Sequence, residues 1–124
     1  METIEGLDCG DLRIRAQMDG TPTSLRLAWR GKSTDRHPEK VLAPFFTLAL
    51  AFAAMQKVPM ELHFEELEHF NSSTITSLIQ LIQDARSKGV KLRYVYNQGL
   101  RWQKLSFDAM RVFAKDDALE LRSI

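Results

Sequence analysis

Apolar and polar residues alternate twice near the start of the chain. Leu12, Ile14, Ala16 and Met18 alternate with Arg13, Arg15 and Gln17; after Asp19-Gly20-Thr21-Pro22 the pattern resumes as Leu25, Leu27 and Trp29 against Arg26, Ala28 and Arg30. A period of two predicts half-buried strands, and the turn residues between them predict an antiparallel hairpin. The polar stretch GKSTDRHPEK then leads into VLAPFFTLALAFAAM. Pro38 suits a first helical turn, so a helix is expected to begin there or just before Pro44 and to run to about Gln56. It is apolar on most sides, which predicts deep packing. Met60, Leu62 and Phe64 alternate with Glu61, His63 and Glu65 in a third strand that stops near Leu67.

The second helix carries the clearest pattern. Ile75, Leu78, Ile79, Ile82 and Ala85 fall at helical spacing, and the run closes on Lys88-Gly89. VKLRYVY reads as a fourth strand with Leu92, Tyr94 and Tyr96 on one side. Trp102, Leu105, Ala109, Val112 and Phe113 mark a third helix, and ALELRSI a short last strand. The expected order is therefore β-β-α-β-α-β-α-β, with connections long enough for parallel crossovers. This is an α/β fold: a mixed sheet with an N-terminal hairpin and helices packed against it. A chain of 124 residues has the size of one domain, 1–124, with a real core.

Composition narrows the function classes. The 17 Lys and Arg nearly balance the 16 Asp and Glu, for a formal charge of +1, and the basic residues are scattered along the sequence. That speaks against a nucleic-acid binder, which concentrates positive charge. Cys9 is the only cysteine, so no intrachain disulfide forms, and a reducing cytoplasmic setting fits. The apolar run 41–55 is short for a membrane span, contains Pro44, and starts too far in for a signal peptide, so a buried helix is expected. Asn71-Ser72-Ser73 matches a glycosylation sequon, which means little without a secretory signal.

Catalytic signatures are missing. The chain has neither G-x-S-x-G nor a glycine-rich loop between strand and helix. His63 and His69 lie among Glu61, Glu65, Glu66 and Glu68, but without compact ligand spacing; His63 is expected to point to solvent and His69 to sit in a loop. A solvated acidic edge is the expected reading, a metal site the alternative. Arg101-Trp102-Gln103-Lys104 mixes basic and aromatic residues, yet Trp102 also begins the helical core stripe.

One stretch calls for chemistry. Asn71-Ser72-Ser73-Thr74 sets four small polar residues between a strand and a helix, on the face where α/β folds place their ligand sites. One of them suffices as an N-cap, a role that contributes about 1 kcal/mol. A phosphoryl group on a first-turn hydroxyl adds a charge of about −1.5 to −2 where the helix N-terminus tolerates it.

The element order, the segments HFEELEHFNSS, TITSLIQLIQDARSKG and KLRYVY together resemble the STAS domain of anti-sigma-factor antagonists, over about residues 11–122. Phe70-Asn71-Ser72-Ser73, with Gly31-Lys32-Ser33-Thr34 and Pro38-Glu39 earlier, is similar to the SiaC-type subfamily. The resemblance implies that Ser72 takes the place of the phosphorylated residue, with Ser73 and Thr74 as alternates, and Asn71 that of the preceding Asp or Asn. It departs from the pattern in carrying serine for the family's threonine and extra residues between Ser33 and Pro38. It implies a non-enzymatic regulator working by partner switching, without a cofactor, through Asn71, Ser72, Ser73, Thr74 and Thr76. The partners it implies are a Ser/Thr kinase of the anti-sigma type, a metal-dependent phosphatase, and either a diguanylate cyclase or an anti-sigma kinase. Alternatives are a STAS-fold adaptor subunit in which Ser72 only caps, and a nucleotide binder, which the missing glycine loop disfavours.

Overall fold

The computed structural model describes residues 4–19, 23–114 and 117–124. Seven strands form one mixed sheet: β1 (Leu7–Cys9), β2 (Leu12–Asp19), β3 (Ser24–Ser33), β4 (Met60–His63), β5 (Leu67–Phe70), β6 (Leu92–Tyr96) and β7 (Leu119–Ser123). Three helices connect them: α1 (Glu39–Gln56), α2 (Ser72–Lys88) and α3 (Arg101–Met110), the last running into a 3-10 turn at Arg111–Phe113. The sheet order is β1-β2-β3-β4-β6-β7, with β5 also paired to β3. Pairs β1–β2 and β2–β3 are antiparallel and all others parallel. The expected α/β fold with an N-terminal hairpin is present; the tip residues Gly20, Thr21 and Pro22 lie outside the described residues.

Two strands exceed the expected order. β1 is three residues long, too short for a period of two to register. The third expected strand divides in two. β4 ends at His63, the chain turns through Phe64–Glu66, and β5 resumes along the same edge of β3, so β4 pairs with 25–28 and β5 with 31–33. The break coincides with a register shift at Gly31 and Lys32. Gly31 has φ of 86°, and a Cβ there would stand 1.8 Å from the Asp11 carbonyl oxygen, so only glycine fits. Inside the break lies the fully buried amide of Gln103, which donates to the Phe64 and Leu67 carbonyls at 2.6 and 3.1 Å and accepts from the Asn97 amide at 2.8 Å.

Alternation sends Leu12, Ile14, Leu25, Leu27, Trp29, Met60, Leu62, Leu92 and Tyr94 to the helix-covered side. Phe64, Phe70, Tyr94, Tyr96 and Phe107 pack their rings together there. On α2 the buried positions are Thr74, Ser77, Leu78, Leu81, Ile82 and Ala85. Ile79, expected in that stripe, is only half-buried. A step of one residue turns a helix by about 100°, and the buried arc centres on Leu78, Leu81, Ile82 and Ala85 instead.

Helix α1 begins at Glu39, after Pro38, and packs beside α2. It is long and apolar enough to cross a membrane, yet Leu42, Phe45, Phe46, Ala49, Leu50, Phe52 and Ala53 are buried in the core. The deep packing expected of it holds on one side only, because Leu48 and Met55 remain 65% and 62% exposed on the other.

Candidate functional site

The first turn of α2 stands at the C-terminal ends of β3 and β5. Asn71 is extended, with φ −92° and ψ 176°, and serves as N-cap. Its Oδ1 accepts from the Thr74 amide at 2.9 Å and from the Thr74 hydroxyl at 2.8 Å. Its Nδ2 donates to the Asp35 carbonyl at 2.8 Å, and its backbone amide to the Ser33 carbonyl at 3.0 Å. One side chain thus caps the helix and ties it to the loop leading into α1. His37 contributes to that loop by donating its amide to Asp35 Oδ1 at 3.0 Å, an Asx turn.

The residues expected at the site divide by exposure. Ser72 and Thr76 are exposed, while Ser73 and Asn71 are partly covered. Neither the Ser72 nor the Ser73 side chain makes a hydrogen bond among the described residues; the Thr76 hydroxyl donates to the Ser72 carbonyl at 3.2 Å. Thr74 is different. It is fully buried and its hydroxyl bonds Asn71 and, at 2.7 Å, Ser33. The expectation that Thr74 serves as an alternate phosphate acceptor and a partner contact is therefore corrected: its hydroxyl is part of the core seam. The capping requirement is met by Asn71 alone, which leaves Ser72 without a structural bond to keep.

A groove of about 530 Å³ between α1 and α2 adjoins this turn, with Arg36 and His37 on one wall, Ser73 and Thr76 on the other, and Phe46 and Leu81 in its lining. Glu39 and Asp84 line the same groove, so the charges beside the helix N-terminus are mixed. His37 itself lies 3.4 Å from Glu39 on the surface.

The histidines differ from their expected settings. His63 is not a free solvent-facing side chain: its Nε2 lies 3.1 Å from Glu61 and its Nδ1 3.0 Å from Glu65. The bond to Glu65 raises the His63 pKa above its ordinary value, against the opposing effect of burial. His69 lies in β5, not in a loop, with its ring 5.9 Å from that of Trp102. Among the described residues no three His, Cys, Asp or Glu side chains converge as a metal ion requires. Trp102 is partly buried at the margin of the core and packs edge-on against Phe70 at 5.1 Å. The stripe expected on α3 is corrected: the buried face is Gln103, Phe107 and Met110, while Leu105 and Val112 are 59% and 61% exposed. The i, i+4, i+7 spacing of Gln103 with Phe107 and Met110 was the signal that sequence reasoning missed.

No protein-family model matches the sequence, and no curated protein sequence matches it. Solved structures do. A chain of the crystal structure of the diguanylate cyclase SiaD in complex with its activator SiaC from Pseudomonas aeruginosa superposes with a TM-score of 0.61, at 17% identity, over 96% of this chain and 98% of that one. An uncharacterised protein of the DUF3478 family from Shewanella loihica PV-4, described as having a SpoIIAA-like fold, superposes with a TM-score of 0.56, at 17% identity, over 100% of this chain and 90% of that one. At that identity the likeness speaks for the backbone: the chain has the SpoIIAA-like, or STAS, fold.

Proposed function

We propose that this protein is a non-enzymatic, cytoplasmic regulator whose binding to a partner protein is controlled by reversible phosphorylation of Ser72. The carrying observation is the division of labour at the start of α2: Asn71 caps, Thr74 locks the turn to β3, and Ser72 stays exposed with its hydroxyl uncommitted. A phosphate on Ser72 leaves the fold intact, because no structural bond is lost and the helix N-terminus stabilises the new charge. The same dianion, placed inside an interface formed by Asn71, Ser73 and Thr76, introduces a desolvation cost that shifts partner occupancy.

A Ser/Thr kinase of the anti-sigma type would supply the phosphate and a metal-dependent phosphatase remove it. The structural likeness to a chain of the SiaD–SiaC complex favours a diguanylate cyclase as the partner over an anti-sigma kinase. The test is intact-mass and fragment-ion spectrometry of the protein purified from its own host, beside Ser72→Ala. A phosphate on Ser72 that the variant lacks supports the switch. Unmodified protein, after incubation with host lysate and ATP, points instead to an adaptor subunit in which the serine carries no signal.

A further inference from the structure

The face of the sheet turned away from the helices has two halves. On β4, β6 and β7 the charges are matched: Glu61 meets Arg93 and His63, and Glu120 meets Arg93 at 3.2 Å and Arg122 at 3.1 Å. On the hairpin β2–β3 three arginines, Arg13, Arg15 and Arg30, are not, whereas Arg26 sits opposite Glu61 and acts on Glu65. Alternation with the buried Leu12, Ile14, Leu25, Leu27 and Trp29 puts Arg13, Arg15, Arg26 and Arg30 on this open face. The register sets Arg13 directly opposite Arg30, and Arg15 opposite the small Ala28. Arg13, Arg15 and Arg30 are exposed, and their side chains make no ion pair or hydrogen bond among the described residues. Asp8 lies across from Arg13 in β1 without forming a close pair among them. Like charges directly opposite on neighbouring strands destabilise a sheet, so the hairpin carries a cost that an anion relieves.

We propose that this face docks an extended acidic segment of a partner protein. The side chains suit a bidentate anion, since Arg13, Arg15 and Arg30 carry planar forks that bind carboxylates or phosphates through two parallel hydrogen bonds, and the surroundings decide between the two. The spacing selects an extended chain: same-face residues on a strand repeat about every 6.6 Å, which is also the repeat of a strand carrying Asp or Glu at alternate positions. The surroundings restrict the footprint, because Glu65 stands next to the patch and Glu120 farther across the same open face, on β7. A membrane surface or a nucleic-acid duplex laid across the sheet would press phosphates against those carboxylates, whereas a strand-width segment over β2–β3 avoids them. The patch lies on the other side of the sheet from α2, so it is independent of Ser72.

The test uses the full chain and two fluorescein-labelled peptides, one with glutamate at alternate positions among threonines and one with glutamine in its place, followed by anisotropy at low and high salt. The glutamate peptide binds about tenfold or more tightly than the glutamine one, and the difference shrinks as salt screens the charges. Arg13→Gln with Arg30→Gln reduces that affinity about tenfold or more while the melting temperature holds or rises, because the like-charge pair is gone. Lys91→Gln, which removes a cation elsewhere on the surface, leaves binding unchanged. Equal binding of the two peptides, or wild-type affinity in the double arginine variant, overturns the proposal. Tighter binding to phosphatidylserine vesicles or duplex DNA than to the glutamate peptide overturns the choice of occupant.

Discussion

The hydroxyls of Ser33 and Thr74 lie 2.7 Å apart with both residues buried, so the end of β3 and the first turn of α2 are joined by side chains as well as by packing. Thr74→Val keeps the shape and removes the hydroxyl, leaving the Ser33 hydroxyl without its partner. A loss of about 1–3 kcal/mol follows, read as a lower urea midpoint at unchanged slope. A midpoint equal to the wild type would show that the pair contributes nothing.

Capping falls to Asn71, and the two neighbours separate accordingly. Asn71→Ala costs about 0.5–2 kcal/mol, and it also frees the loop at Asp35. Ser72→Ala stays within about 0.5 kcal/mol, as surface changes away from special features do. Chemical denaturation of both variants decides; a larger loss in Ser72→Ala than in Asn71→Ala would contradict the assignment.

On α2 the structure chooses between neighbours. Ile82→Asp sets a carboxylate into the core and unfolds the protein, while Ile79→Asp, at the half-buried margin, leaves a cooperative melt. Circular dichroism on heating distinguishes them. Identical behaviour of the two variants would mean that the helix is rotated from the described orientation.

Gln103→Leu fills the same space without polar atoms. It takes the acceptor from the Asn97 amide and a donor from the Leu67 carbonyl, while the Phe64 carbonyl keeps only the Leu67 amide at 2.9 Å. Each buried group left unsatisfied costs about 1–3 kcal/mol, so poor expression or a sharply lowered Tm is expected. A Tm near that of the wild type would rule out this amide as the clamp between β4 and β5.

Stability also depends on pH through His63. Its folded pKa is raised, first by the Glu65 bond and further by Glu61, so the contribution of the imidazolium is complete below about pH 6.5 and is lost as pH rises through the higher folded value. Glu65 acts on the acid side. Burial works to raise its pKa but is outweighed by the His63 bond and other favourable contacts, and the lowered result means its contribution is lost only as pH falls through the folded value. Tm recorded from about pH 6 to 8 should decline more steeply in the wild type than in His63→Gln. Parallel curves would remove His63 as the cause.

Periodicity revealed the longer strands and α2 because each buries one clean face, whereas on α3 the apolar Leu105 and Val112 lie exposed and the buried face carries Gln103. The strand at 12–18 and the helix closing on Gly89 are legible for that reason, and so is the small polar junction at 71–74. What periodicity cannot resolve is a break within a continuous apolar alternation. Residues 60–70 read as one strand and a loop because Phe64 and Leu67 are both buried, although the backbone turns between them. Burial of a polar residue is equally silent in sequence: Thr74 and Gln103 look like surface residues and serve as internal fasteners. Charge is misread for a related reason. Arginines spaced by two in sequence look scattered and become adjacent once strands pair.

Strand β3 borders β2, β4 and β5, yet only β2 is its near neighbour along the chain. Every parallel pairing in the sheet must wait until a whole crossover helix has been laid down between the partners, and such distant contacts form slowly. The β2–β3 hairpin can therefore assemble first and act as the template on which the rest of the sheet grows, so changes within it should alter the speed of folding more than changes in β7.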